Sequence, residues 1–133
     1  MKDDTFDLSN TPVHLGLGAT VVPLEPFDGM EWYERYGERF ASDGVEGRLV
    51  SMHTFAKPWA TWEMHPHGDE LVLCVTGRIV LHQEQADGTI RRAELTAGQA
   101  IINPPGIWHT ADVDEPATAL FITAGLGTQI RQR

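Results

Sequence analysis

The stretch "ELVLCVTGRIVLHQEQADGTIRRAEL", residues 70–95, decides the fold of this chain. Short runs rich in Val, Leu and Ile alternate with Thr-Gly and Ala-Asp-Gly, which are typical of turns. Runs of four to eight residues between such turns are typical of β-strands. The stretch therefore predicts three strands, near residues 70–75, 78–84 and 90–95.

The same pattern continues on both sides of this stretch. Further strands are expected near residues 48–55, 60–65, 100–103, 107–113 and 117–123, separated by KP, PHGD, TAG, PPG and DEP. Eight short strands at this spacing predict an all-β fold, a sandwich or barrel of the jelly-roll kind. The chain is short enough to be one folding unit.

The segments outside the barrel have a different character. Residues 1–29 carry three prolines and predict an irregular or partly extended arm, with an edge strand near residues 19–22. In "DGMEWYERYGERF", Asp28 can cap one short helix that Gly37 interrupts or weakens. The aromatic stripe of this helix, expected to dock on the core, consists of Trp32, Tyr36 and Phe40.

The expected division of the chain is an arm and short helix over residues 1–45, a barrel over 46–125 and a tail over 126–133. The tail ends in "TQIRQR" and has no apolar face, so it is expected to fray or to lie across a partner subunit.

Charge and cysteine content exclude several classes of protein. The formal net charge is −9, which disfavours nucleic acid and anionic membrane surfaces as partners. The single cysteine, Cys74, cannot form an internal disulfide. The first ten residues lack the pattern of a secretory signal, so a soluble cytoplasmic protein is expected.

Residues 64–70, "MHPHGDE", concentrate side chains that bind transition metals. If a strand ran through the cluster, alternation would place His65 and His67 on one face. Pro66 and the following Gly-Asp indicate a turn instead. His65 is then the last strand residue, and Glu63 becomes its partner on the same face.

A second group of candidates flanks this turn. Glu70 shares a strand face with apolar Val72 and Cys74, and a carboxylate on such a face is costly to bury unless it is paired or bound to a cation. His109 follows a proline-rich bend in "GQAIINPPGIWHTADV", residues 98–113. A jelly roll could bring His109 back onto the cluster.

These residues resemble the two motifs of the cupins, which are small barrels of the double-stranded β-helix type. The second motif is matched by Gly98, Pro104, Gly106 and His109, whereas Val113 replaces the usual asparagine. The first motif, His-x-His, three or four residues, Glu, six residues, Gly, keeps its last interval at Glu70 and Gly77. The expected upstream glycine is absent.

Two registers of the first motif remain open. Counting back four residues from Glu70 places the second histidine at His65, and Glu63 then occupies the first histidine's place. Pairing His65 with His67 leaves one residue too few before Glu70. The resemblance implies a divalent metal, Fe, Mn, Ni, Zn or Cu, held by His65, Glu70 and His109, with Glu63 favoured over His67 as a further ligand.

The resemblance also implies a function. A metal-binding cupin would act on a small organic molecule, with dioxygenase or isomerase chemistry and with Glu70 or His67 carrying a proton. Trp108 and His53 are expected to line the substrate pocket. The alternative is a non-catalytic module that binds a small ligand and has a degenerate metal site. Cupins commonly pair, so a homodimer is expected.

Overall fold

The computed structural model describes residues 5–133, and residues 1–4 of the expected arm lie outside this range. The described residues form two antiparallel sheets, one of six strands in the order β2-β1-β3-β10-β5-β8 and one of five in the order β11-β4-β9-β6-β7. The strands are β1 (Val13–Gly16), β2 (Thr20–Pro23), β3 (Arg48–Phe55), β4 (Thr61–Met64), β5 (Glu70–Thr76), β6 (Arg78–Glu84), β7 (Ile90–Thr96), β8 (Ala100–Asn103), β9 (His109–Asp112), β10 (Ala117–Thr123) and β11 (Gln129–Gln132). The predicted jelly roll is confirmed.

The core lies between the two sheets. Side chains alternate in and out along β5, where Glu70, Val72 and Cys74 are buried, as the sequence pattern predicts. Ile79 and Leu81 of β6 meet them from the five-stranded sheet. The eight predicted strands are all present, and their ends shift by two residues at most, the largest shift being at the start of β9.

The N-terminal segment adds two strands and a helical layer to the six-stranded sheet. The predicted edge strand is β2, and β1, which was not predicted, joins it to β3. Helix α1 (Glu31–Arg39) runs through Gly37, and a 3-10 helix (Ala41–Glu46) follows it. The helix packs its aromatic stripe within the chain, around Trp32, which is 2% exposed.

The predicted cap of α1 is wrong. No side chain caps the helix, which begins after Met30. The carboxylate of Asp28 instead accepts hydrogen bonds from the guanidinium of Arg35, at 2.8 and 2.7 Å. A charged partner within the helix therefore takes the carboxylate away from the backbone amides.

The prediction that the tail frays is also wrong, whereas its contact with a partner subunit stays a prediction. Strand β11 pairs with β4 at the edge of the five-stranded sheet, with Ile130 opposite Glu63. Arg131 donates to Glu84 at 2.5 Å, and Arg133 lies 2.6 Å from Asp112. The basic residues of the tail are thus neutralised by acidic residues of the same sheet. No helix within residues 5–133 has the length and apolar character needed to cross a bilayer.

Candidate metal centre

Four acidic and histidine side chains converge at one end of the barrel. Glu63 lies on β4, His65 directly after it, Glu70 at the start of β5 and His109 at the start of β9. Glu63 and His109 are cross-strand neighbours. Ligand atoms of Glu63, His65 and His109 all lie within 4.8 Å of one another.

Glu70 lies against both histidines. Its Oε2 is 3.2 Å from Nε2 of His65, and its Oε1 is 3.2 Å from Nε2 of His109. Adjacent ligands bonded at ~2.1 Å to one ion are separated by about 3.0 Å in octahedral and about 3.4 Å in tetrahedral geometry. The observed 3.2 Å lies between these two values, so the spacing is compatible with neighbouring ligands around a common ion as well as with an ion pair.

The two turns that carry the cluster are tied together by the backbone. The amide of Gly106, in the proline-rich bend, donates to the carbonyl of His65 at 3.0 Å. This bond joins the segment before β5 to the segment before β9. It holds His65 in place where the chain has already left the β4 ladder.

Hydrogen bonds fix the tautomers of both imidazoles. Thr128 gives its hydroxyl proton to the carbonyl of Gly125, at 2.7 Å, so Nδ1 of His65 donates to the Thr128 oxygen at 2.8 Å. Nδ1 of His109 donates to the carbonyl of Ile107 at 3.3 Å. In the neutral form of each ring, Nε2 is therefore the nitrogen that carries the lone pair.

The surroundings of these two Nε2 atoms are the observation that bears on a bound metal. Both are buried, and neither makes a hydrogen bond with acceptable geometry to any of the described residues. The Glu70 carboxylate lies 3.2 Å from each of them, and a carboxylate oxygen of Glu63 lies within 4.8 Å of a ring nitrogen of each histidine. Buried polar atoms without partners are rare in folded proteins. Two imidazole nitrogens and neighbouring carboxylates are a donor set that fits a divalent transition metal.

The Glu70 carboxylate accepts hydrogen bonds from its neighbours on the two adjacent strands. Asn103 of β8 donates to Oε1 at 3.0 Å, and Thr123 of β10 donates to Oε2 at 2.6 Å. Asn103 is itself oriented by Gln83, whose amide donates to its side-chain oxygen at 2.8 Å. Two donors therefore hold this carboxylate in one orientation, and its side chain is buried, at 3% exposure.

The two carboxyl groups differ in their electrostatics. Burial opposes ionisation of Glu70, but His109 and His65 outweigh it and hold the pKa of Glu70 below its usual range. Burial raises the pKa of Glu63, and the nearby charge of Glu70 raises it further. Burial would lower the pKa of His109, but Glu70 reverses the effect and raises it.

The cluster opens into a cavity of about 630 Å³. Its wall is formed by the inner faces of β3, β4, β10 and β11, and by residues of α1 and the 3-10 helix. Glu63, His65 and Glu70 lie at one part of this wall. The volume falls within the range of pockets that hold small organic ligands.

A family model described as "Cupin domain" matches residues 52–123, which is more than half of the chain. The chain belongs to the cupin family. Its structure is similar to that of an oxalate oxidase, at a TM-score of 0.53 and 16% identity, with 61% of this cupin and 44% of that chain covered. No curated protein sequence matches it.

Two further solved structures are similar to this cupin. One is a cupin-2 domain containing protein from Shewanella frigidimarina, at a TM-score of 0.49 and 17% identity, with 57% of this chain and 69% of that chain covered. The other is hydroquinone 1,2-dioxygenase from Sphingomonas sp. TTNP3 with 4-hydroxybenzoate bound, at 0.48 and 17%, with 57% and 59% covered. Identities this low bear on the fold alone.

The sequence-predicted site residues fall into two groups in this cupin. Glu63, His65, Glu70 and His109 lie together, with Glu63 on the same strand face as His65. His67 is exposed on the turn and packs near Gly127 rather than along the cavity wall.

The two predicted pocket residues also separate. His53 lines the cavity. Trp108 does not belong to the described lining. Its ring instead lies 4.6 Å from the guanidinium of Arg131, which also lies 5.3 Å from the ring of Trp62.

Sequence reasoning missed the residues that orient the site. Asn103, Thr123 and Thr128 carry no motif signal, and each reaches the cluster from a distant part of the chain. Strand alternation places Thr123 on the inner face with Phe121, which was the one available hint. Thr128 could be found only once β11 was known to return beside β4.

Proposed function

We propose that this cupin binds one divalent transition metal ion and acts on a small organic molecule in the cavity. The ligands are Glu63, His65, Glu70 and His109. The observation that carries the proposal is the pair of buried Nε2 atoms, fixed in the tautomer that offers a lone pair and left without a hydrogen bond. A metal ion here would supply a Lewis acid or redox centre toward oxygen atoms of the substrate.

The chain's own residues have distinct tasks in this proposal. Thr128 and the Ile107 carbonyl orient the two imidazoles, and Asn103 and Thr123 hold the Glu70 carboxylate. The aromatic side chains of the cavity exclude water from the bound molecule. Dioxygenase and isomerase reactions both fit such a site.

Glu70 is the better placed of the two expected proton carriers. It lines the cavity and contacts both histidines. His67 is exposed on the turn and lies outside the described lining, so a proton from it would need to cross solvent. Of these two residues only Glu70 reaches the cavity, but its lowered pKa and its proposed role as a ligand make it a weak base, so we assign proton handling to neither.

A second candidate function is a module that binds a small ligand without catalysis. It is favoured by Glu63, because a carboxylate in the place of an imidazole changes the charge and geometry offered to an ion. The cavity would then hold its ligand through the aromatic wall alone.

Elemental analysis of the purified protein tests the metal. Wild type is expected to hold a stoichiometric amount of a divalent metal after incubation with it, and His109→Ala is expected to lose it. His82→Ala is the matched control, because His82 lies on the neighbouring strand β6 and pairs with Asp112 away from the cluster. Equal, negligible metal in all three proteins would contradict the proposal and favour the binding module.

A further inference from the structure

The cavity wall carries a continuous series of aromatic rings that runs from its rim to the histidine cluster. Phe27 is 42% exposed at the rim, and its ring centroid lies 6.1 Å from that of His53. His53 lies 6.1 Å from Phe121, which lies 5.9 Å from Trp59. Trp59 in turn lies 6.5 Å from His109. Such spacings are those of favourable aromatic contacts.

This wall is suited to flat rings. Aromatic surfaces attract another ring by offset or edge-to-face contact, beyond what burial of apolar area contributes. Phe55 widens the wall, with its centroid 5.4 Å from Trp59 and 6.0 Å from Phe121. A saturated molecule of equal size would gain only the burial.

The charges of the cavity disfavour an anion. Lys57 is the one Lys or Arg among the described lining residues, and its side chain is exposed. Glu63 and Glu70 both face the interior near the histidines. A carboxylate ligand would therefore meet two acidic side chains and no guanidinium to pair with it.

Metal binding would not give the cavity a net positive charge that attracts anions. If a divalent ion is bound as proposed above, the charges of Glu63 and Glu70 together equal its own in magnitude. The loaded site is then neutral, whereas a site with three histidines and one glutamate would keep a net positive charge. Glu63 in the place of a histidine thus weakens the electrostatic attraction that the site offers to an anionic substrate.

From these observations we infer that the cavity selects an uncharged aromatic molecule, of one ring or two fused rings, over aliphatic molecules and carboxylates. This inference rests on the proposed function for the role of the metal, but the aromatic wall and the two glutamates act in the metal-free protein as well. The volume of about 630 Å³ accommodates a two-ring molecule.

Three matched probes test the selection by calorimetric titration: 2-naphthol, decahydro-2-naphthol and 2-naphthoate. We expect 2-naphthol to bind about two- to tenfold more tightly than the saturated alcohol. His53→Leu keeps apolar bulk but removes one ring, so it should weaken 2-naphthol and leave decahydro-2-naphthol unchanged. Equal affinities of the two alcohols in wild type would overturn the aromatic selection.

The charge argument is tested with Glu63→Gln. Two unit charges ~8 Å apart at an effective dielectric constant of ~40 repel enough to change affinity about fivefold, so this variant should bind 2-naphthoate about fivefold more tightly than wild type. Glu115→Gln is the matched control, because Glu115 is exposed and lies outside the cavity lining. Unchanged 2-naphthoate affinity in Glu63→Gln, or tighter binding of 2-naphthoate than 2-naphthol to wild type, would overturn it.

Measuring metal content on the same samples separates this inference from the proposed function. Stoichiometric metal without aromatic selection contradicts the inference and leaves the proposed function standing. Aromatic selection in a protein that takes up no metal supports the inference and contradicts the proposed function. The titrations are therefore run both on metal-loaded protein and on protein treated with a chelator.

Discussion

Replacing Thr123 with valine should destabilise the protein through the buried Glu70 carboxylate. The Thr123 hydroxyl donates to Oε2 of Glu70 at 2.6 Å, and valine has the same shape without the donor. A hydrogen bond to a charged group contributes about 1.5 to 3 kcal/mol. Asn103 still donates to the other oxygen, so the loss should stay within this range. Urea unfolding in the presence of a chelator measures it, because a bound ion would add stability of its own.

The matched control for this change lies on the same strand. Thr118 is also on β10, and its hydroxyl makes a solvent-exposed hydrogen bond of 2.7 Å with Thr54. Thr118→Val removes an equivalent group but leaves no buried charge, so it should change stability by no more than about 0.5 kcal/mol. Equal losses in Thr123→Val and Thr118→Val would refute the reasoning that Glu70 is a buried, ionised group held by this bond.

Two further predictions concern the backbone and pH. Gly77 and Gly106 both have positive φ, +81° and +77°, but an added Cβ at Gly77 would lie 2.9 Å from Ala117 Cβ, whereas at Gly106 nothing lies within 4 Å. Gly106→Ala should therefore lower the free energy of unfolding, measured with urea, by about 1 to 2 kcal/mol. Gly77→Ala should lower it by about 1 to 3 kcal/mol more, because of the contact with Ala117. Similar losses in the two variants would contradict an effect of that contact. Burial lowers the pKa of His53, so as the pH falls the unfolded state takes up a proton on His53 before the folded state does. The free energy of unfolding therefore falls as the pH drops below about 6.5. His53→Leu should lose less stability than wild type between about pH 7.5 and about pH 5 in the same assay, and parallel losses would show that His53 does not contribute.

The segment "MHPHGDE" shows which part of the candidate site can be predicted from the sequence. Strand alternation and Pro66 were sufficient to group Glu63 with His65 and to set His67 apart on a turn. The buried face of β5 was likewise sufficient to single out Glu70. The sequence also predicts Trp108 in the pocket, but an aromatic residue next to a candidate ligand fits the outer surface equally well, and Trp108 lies outside the described lining.

Misassigned elements share one cause. The polar residues Gln129, Arg131 and Gln132 predict a frayed tail. An edge strand needs few apolar residues, however, when its backbone pairs with β4 and its arginines pair with Glu84 and Asp112. The position of Asp28 before the helix predicts a cap, but Arg35, seven residues later, binds its carboxylate instead. Both errors concern partners that a local pattern does not reveal.

The sequence by itself determined the β-rich fold, the positions of the eight strands between residues 48 and 123, and the inward orientation of Glu70. These follow from turn residues and side-chain alternation, which act over a few neighbouring positions. Only the tertiary structure decided that Glu63 faces His109, that Thr128 sets the tautomer of His65, and that Asn103 and Thr123 hold Glu70. Those contacts join residues from 33 to 63 positions apart, and such distant residues meet through the pairing of whole strands, which no local pattern specifies.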